Sequence, residues 1–268
     1  MIIDFHTHIF PEKIATTTIV KLEKMGGIPS FTDGTQNCLR ASMKKAGISM
    51  SINLPVQTSV KQFEGINNFA QNLNEIANNF EQKIISFGAI HPDTPNPKAH
   101  LTELKNRGFL GIKIHPDYQQ TFIDDERYYK ILSACKDLDM IAVVHAGLDV
   151  GFPDMVHCTP KRAKAVIERV GGGKIVLAHL GGLSLWEDVE KYLIDADCYF
   201  DMGVIFGIIK KDMAREIIYN HGSDKILFGT DSPWCGQSKA LEIFDTYDFS
   251  KDDKEKILYK NAKELLQI

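Results

Sequence analysis

Apolar residues along this chain gather into eight runs of strand length, and the stretches between them carry apolar residues at helical spacing. The runs cover residues 2–9, 48–54, 84–90, 109–114, 140–144, 174–178, 199–204 and 225–228. Proline marks several of their ends, as Phe10-Pro11, Pro55 and His91-Pro92. Apolar positions three or four apart predict helices over 36–46, 60–81, 97–107, 126–137, 160–170, 210–220 and 251–266. In the longest, Phe63, Ile66, Phe69, Leu73, Ile76 and Phe80 define the packed face. Gly171-Gly172-Gly173 follows a helix and precedes a strand, the reverse of a nucleotide fingerprint, so it reads as a turn. Residues 10–36, which contain Gly26-Gly27 and Pro29, read as a loop over one end of the fold.

Eight strands alternating with helices predict an α/β protein, a slightly elaborated TIM-type (β/α)8 barrel with residues 1–268 forming one domain. An open doubly wound sheet alternates in the same way. It would usually carry a glycine-rich turn after the first strand, where this chain has Phe10-Pro11.

Composition narrows the partners. A formal net charge of -4 gives no long-range attraction for nucleic acid or an anionic membrane surface, so a small-molecule substrate is expected. The five cysteines, Cys38, Cys135, Cys158, Cys198 and Cys235, include no Cys-x-x-Cys and read as thiols in a reducing compartment. With no export signal or spanning segment recognised, the expected location is the cytoplasm. Whether copies assemble into a homo-oligomer is left open.

Barrels of this kind build their sites at the C-terminal ends of the strands. His6 and His8 close the first run, Lys113 and His115 the fourth, His145 the fifth, His179 the sixth and Asp231 the eighth. Strand alternation is expected to point Asp4, His6 and His8 the same way, and Lys113 with His115 likewise. Any one of these histidines reads as a hydrogen-bonded core residue, and Asp231 before Ser232-Pro233 as a turn former. Together at one rim they would bury several polar groups at a cost of roughly a few kcal/mol each if unpartnered. A divalent metal supplies the partner. His6, His8, His145 and Asp231 form a nitrogen-rich set with room for water, which suits zinc and tolerates manganese, iron or cobalt. Such an ion lowers the pKa of water, and Asp231 is placed to orient that water and shuttle its proton. Lys113, His115, Tyr118 and Trp234 are candidate substrate contacts, with Asp201 a weaker one. Phe10, Phe152 and Phe206 are expected to line the mouth. His91 and His157 stand near the site without a role, and His100 and His221 fall on the outer helices.

Five phrases in this order resemble the amidohydrolase superfamily, and more closely its branch containing aminocarboxymuconate-semialdehyde decarboxylase. They are Asp4-Phe5-His6-Thr7-His8, Gly111-Ile112-Lys113-Ile114-His115-Pro116, Val144-His145-Ala146-Gly147, Leu177-Ala178-His179-Leu180-Gly181-Gly182 and Leu227-Phe228-Gly229-Thr230-Asp231-Ser232-Pro233. The resemblance implies His6, His8, His145 and Asp231 as ligands of one ion, with His179 acting on water or on developing charge. Binuclear members carry a carbamylated lysine at the place of Lys113. That resemblance implies a second ion held by Lys113, His145 and His179, so one or two zinc ions are expected. Lys113 without the carbamate would instead bind a substrate carboxylate as a point charge. Asp4 is expected one layer below the metal, supporting a ligand histidine.

The expected activity is hydrolysis of a small carboxylate-bearing amide, lactone or ester by metal-activated water, with Asp231 and His179 managing protons. The alternative is a metal-dependent non-oxidative decarboxylase built on the same site. A catalytically silent metal-binding scaffold is a third reading. The deoxyribonuclease branch, which also opens with His-x-His, resembles the chain less because it has a glutamate where Lys113 stands.

Overall fold

The first strand joins the two ends of the sheet. In the computed structural model, which describes residues 1–268, β1 (Ile3–Thr7) pairs in parallel with β2 (Met50–Asn53), and β2 pairs with β3 (Lys83–Ser86). A second parallel sheet runs in order through β4 (Gly88–Ala89), β5 (Gly111–Ile114), β6 (Ile141–Val144), β7 (Ile175–Leu177), β8 (Tyr199–Asp201) and β9 (Ile226–Leu227). Only Phe87 separates β3 from β4, and its N–H still donates to Asn53 O at 3.0 Å, so the two are one strand position. On the other side Phe5 N donates to Phe228 O at 2.8 Å, Asp231 N to His6 O at 2.7 Å and His8 N to Ser232 O at 2.6 Å. Thr7 and Ser232 form a parallel bridge. Those bonds bring the last strand to the first and complete a TIM-type ring of parallel positions.

The helices are α1 (Glu12–Gly26), α2 (Gln36–Ala46), α3 (Phe63–Ile76), α4 (Pro97–Asn106), α5 (Glu126–Asp137), α6 (Pro160–Val170), α7 (Trp186–Tyr192), α8 (Lys211–His221), α9 (Gln237–Asp245), α10 (Lys251–Glu255) and α11 (Asn261–Leu266). Side-chain oxygens start four of them, Thr35 accepting from Cys38 N, Asp125 from Arg127 N, Thr159 from Arg162 N and Ser250 from Asp253 N. Proline sits in the first turn of α4 and α6, where its missing N–H costs nothing. Two apolar clusters result. The larger packs the outward strand faces, such as Ile112, Ile114, Ala142 and Val144, against the helices. The smaller joins Ile3, Phe5, Ile52, Phe87, Val143, Val176 and Leu227 inside the ring, with Leu265 and Leu266 of α11 packed on it. No helix is long and apolar enough to cross a membrane.

Several expectations need correction. Residues 10–36 are not one loop, because they contain the 15-residue helix α1. Its apolar spacing is carried by few residues, Ala15 and Ile19 alone being buried. The helix expected over 60–81 is a 3-10 turn, α3 and a second 3-10 turn. The tail helix expected over 251–266 is interrupted by a π-helical turn, Lys256–Lys260. Helices α7 and α9 were not anticipated, being short and set among glycines and loop residues. The seventh strand stops at Asp201, since Val204 turns into the left-handed region at φ 56.

Strand alternation also fails locally in β1, whose pairing register shifts between Asp4 and Thr7. Asp4 and His6 therefore do not share surroundings. Asp4 bonds neither imidazole, reaching His6 only at its backbone N–H. It accepts from Thr230 N at 2.9 Å, Thr230 Oγ1 at 2.6 Å and Gln237 Nε2 of α9 at 2.7 Å. Burial pushes its carboxyl up to about 6 against the four donors that hold it down, His6 N at 3.3 Å being the fourth. The network ties β1 to the segment that carries Asp231. Asp4→Ala leaves these buried donors unpaired, and we expect a loss of about 3 kcal/mol in unfolding free energy by urea titration. A loss below about 1 kcal/mol would show that the network does not hold the ring closed.

Candidate metal centre

Three acceptors meet at the C-terminal end of β1. His6 Nε2 lies 3.1 Å from His8 Nε2, and Asp231 Oδ1 lies 3.3 Å from the first and 3.0 Å from the second. The other nitrogen of each ring is committed: His6 Nδ1 donates to Asp201 Oδ2 at 2.9 Å, and His8 Nδ1 donates to Leu54 O at 2.7 Å. Neutral imidazoles with those protons present bare lone pairs at Nε2. Burial holds His6 down to about 4, so it is neutral at physiological pH. Burial would raise Asp231, but His6, His8 and His179 outweigh it and hold the carboxyl well below its usual range. Two lone pairs and a carboxylate oxygen in contact repel one another unless a cation stands between them. Ligand bonds of about 2.0–2.1 Å put neighbouring donors of a tetrahedral ion about 3.3–3.4 Å apart, close to the separations here. The donors fit a divalent ion.

Asp201 organises these groups. Its Oδ1 accepts from His179 N at 3.2 Å and Gly203 N at 2.8 Å while Oδ2 holds His6. Burial would raise its pKa, but His6, His179 and Lys113 hold it down to about 2. The expectation of a substrate contact is corrected: Asp201 is wholly buried and spends its oxygens on the protein. Gly203 is required beside it, because a Cβ there would sit 2.9 Å from His6 Nδ1 and 3.0 Å from Asp201 Oδ1.

His179 and Asp231 both adopt left-handed backbone, at φ 62 and φ 63. Strain of about 1–3 kcal/mol at each is tolerated where the surroundings over-determine the conformation. Here Leu180 N donates to Asp201 O at 2.7 Å, and Asp231 N to His6 O at 2.7 Å. His179 Nδ1 donates to Gly203 O at 2.9 Å, leaving Nε2 bare and 3.0 Å from His145 Nδ1. Its ring stacks over His6 at 5.3 Å between centroids.

Lys113 Nζ lies 3.3 Å from His6 Nε2. Burial lowers its pKa to about 8, with Asp201, Asp231 and Asp149 pulling the other way. His145, expected beside His6, His8 and Asp231, is not grouped with them in this structure and is linked to them through His179. It lies beyond His179, stacked on His115 with centroids 4.0 Å apart, and groups with His115 and Asp149. Tyr118 packs edge-on against His115 and Phe152. Trp234 is half-buried and donates its backbone N–H to Asp231 O at 2.8 Å. Phe206 does not line the mouth, since it packs on Phe228 and Tyr247 in the core. Two carboxylates were missed, Asp117 and Asp149. Each follows a site histidine closely, in His115-Pro116-Asp117 and in the loop after His145, and that proximity was the available signal.

A barrel whose strand ends gather five histidines, a lysine and the carboxylates of Asp201 and Asp231 defines a class of enzyme, and comparison with known proteins places the chain within it. A family model described as amidohydrolase matches residues 3–268, so the chain belongs to the amidohydrolase family and is an enzyme of that type. No curated protein matches. Among solved structures, an uncharacterised TIM-barrel protein from Bordetella bronchiseptica is similar at 18% identity and a TM-score of 0.77, over 99% of this chain and 98% of that one. A dihydroxybenzoic acid decarboxylase from a Polaromonas species, with bound manganese and the inhibitor 2-nitroresorcinol, is similar at 17% identity and a TM-score of 0.75, over 99% and 96%. A probable 2-pyrone-4,6-dicarboxylic acid hydrolase from Acinetobacter baumannii, with citric acid bound, is similar at 18% identity and a TM-score of 0.69, over 100% and 99%.

Removing a donor or its support should show in metal affinity. Isothermal titration of metal-stripped protein with zinc or manganese should give affinity lowered about 10–100-fold in Asp201→Asn, and by more in His8→Ala. Wild-type affinity in His8→Ala would exclude that ring from the centre.

Proposed function

We propose that His6, His8 and Asp231 hold a divalent metal ion and that the pocket carries out non-oxidative decarboxylation of a small, unsaturated, carboxylate-bearing acid. The observation that carries this reading is the pairing of the three-acceptor group with one buried amine, Lys113, 3.3 Å from His6 Nε2. Such a pocket offers two cationic points to one small anion. The similarity to a decarboxylase with bound manganese supports that choice, and manganese and zinc both suit the donors. The ion, when bound, supplies Lewis-acid polarisation of a substrate oxygen or of water.

The chain's own residues do the rest. Lys113 in its ammonium form pairs with the substrate carboxylate or a neighbouring oxygen as a point charge. The bond from carbon to the carboxylate breaks, its electron pair passes into the conjugated system, carbon dioxide leaves, and a proton takes the vacated place on carbon. Asp231 relays that proton from solvent. His179 Nε2 and His145 Nδ1, 3.0 Å apart, pass a proton between two rings held by Gly203 O and by stacking on His115. Tyr118 and Phe152 present aromatic edges to an unsaturated substrate.

Hydrolysis of a carboxylate-bearing amide, lactone or ester is the second reading, favoured by the similarity to a probable pyrone dicarboxylate hydrolase. In it Asp231 takes a proton from the attacking water and gives it to the leaving group. A panel of aromatic and conjugated carboxylic acids, pyrones and lactones separates the two. Carbon dioxide release without consumption of water is expected, and ring opening without carbon dioxide would replace decarboxylation by hydrolysis. On the substrate found, Asp231→Asn should lower kcat by about 10²–10⁴-fold. Lys113→Met should raise KM by about 10–100-fold, as expected for loss of a charged hydrogen bond. Unchanged kinetics in both variants would remove the proposed roles.

A further inference from the structure

The residues beyond His179 form a second group with the character of a cation site. His115 Nε2 lies 3.3 Å from Asp149 Oδ2, and His145 Nε2 lies 3.9 Å from the same oxygen and 3.8 Å from Asp117 Oδ2. His145 Nε2 and Asp117 Oδ2 are both buried and neither has a hydrogen-bond partner. Asp117 is completely buried and His145 is 5% exposed, so water does not relieve either atom. Leaving such groups unpaired costs about 1–3 kcal/mol each, and more where charge is involved.

The proton inventory sharpens the mismatch. His179 Nδ1 donates to Gly203 O, so its Nε2 is an acceptor and His145 Nδ1 carries the proton between them. His145 Nε2 is then a bare lone pair aimed at two carboxylate oxygens. Asp117 cannot turn away, because its Oδ1 already accepts from His157 N at 3.0 Å and His157 Nδ1 at 2.9 Å. His115 can free its own Nε2 by carrying its proton on Nδ1, which forfeits a Tyr118 N–H contact at 3.5 Å and the Nε2–H contact with Asp149 Oδ2, the oxygen a cation would then share with it. Asp149 is the member that reaches solvent, with 13% of its side chain exposed, and provides the way in.

We propose that His115, His145 and Asp149, with Asp117, form a second divalent-cation site, separate from the His6, His8 and Asp231 centre and using neither Lys113 nor His179 as a ligand. Charge balance across the pocket supports it. Four carboxylates, Asp117, Asp149, Asp201 and Asp231, face one lysine, Lys113, and imidazoles that offer a lone pair to a cation add no charge of their own. With a single divalent ion and protonated Lys113 the pocket keeps one net negative charge, which weakens its hold on an anionic substrate. A second divalent ion reverses that sign and makes the pocket attractive to one carboxylate. The site does not depend on the reaction being decarboxylation or hydrolysis.

The test is stoichiometry rather than turnover. Metal-stripped wild type, Asp149→Asn, Asp231→Asn and Lys113→Met are equilibrated with zinc, dialysed, and analysed for metal per chain, with circular dichroism confirming that each is folded. Wild type and Lys113→Met should each hold two equivalents, while Asp149→Asn and Asp231→Asn should each hold one. Should Asp149→Asn fail to fold, His115→Asn takes its place with the same expectation. One equivalent in wild type, kept in Asp149→Asn and lost in Asp231→Asn, would overturn the second site while leaving the first. Loss of the second equivalent in Lys113→Met but not in Asp149→Asn would also overturn it.

Discussion

A single carboxylate, that of Asp201, fixes the chemistry of this pocket. It is wholly buried at the end of β8, and it is held ionised by the histidines and lysine around it. One oxygen fixes the His6 tautomer, turning the lone pair of Nε2 towards His8 and Asp231. The other ties down the backbone at His179 and Gly203, which in turn set the His179 ring. Without it His6 would lose its orientation and His179 an anchor of its left-handed turn. A group that touches no substrate in this account therefore determines what the substrate meets.

Ring closure matters for the same reason. His6 and His8 belong to the first strand and Asp231 to the segment after the last, so the three acceptors meet only because the barrel closes between them. The backbone bonds from Asp231 to His6 and from His8 to Ser232 are at once the seam of the fold and the frame of the metal centre. Asp4 reinforces that seam from the side facing α9. Stability and function are coupled here through geometry.

Much of this was legible in the sequence, for physical reasons that also mark its limits. Eight apolar runs announced the barrel because parallel strands covered by helices are apolar throughout. The rim residues were legible because polar groups at the ends of such strands need a reason to be buried. What misled was regular alternation. The register shift in β1 sends Asp4 and His6 to different partners, and a bulge of that kind has no reliable sequence mark. Helix α1 was hidden because few of its residues are buried, so its apolar spacing is faint. Asp201 was undervalued because alternation places it in the barrel without saying which side chain it meets. Asp117 and Asp149 were passed over because their partner, His145, was expected at a different group.

The chemistry of the pocket turns on whether a cation sits between His6 Nε2, His8 Nε2 and Asp231 Oδ1. Anomalous diffraction from crystals grown with manganese tests it most directly. A strong anomalous peak is expected within ligand distance of all three atoms, with His6 Nδ1 still bonded to Asp201. No peak at that position, with the three side chains turned apart, would contradict it.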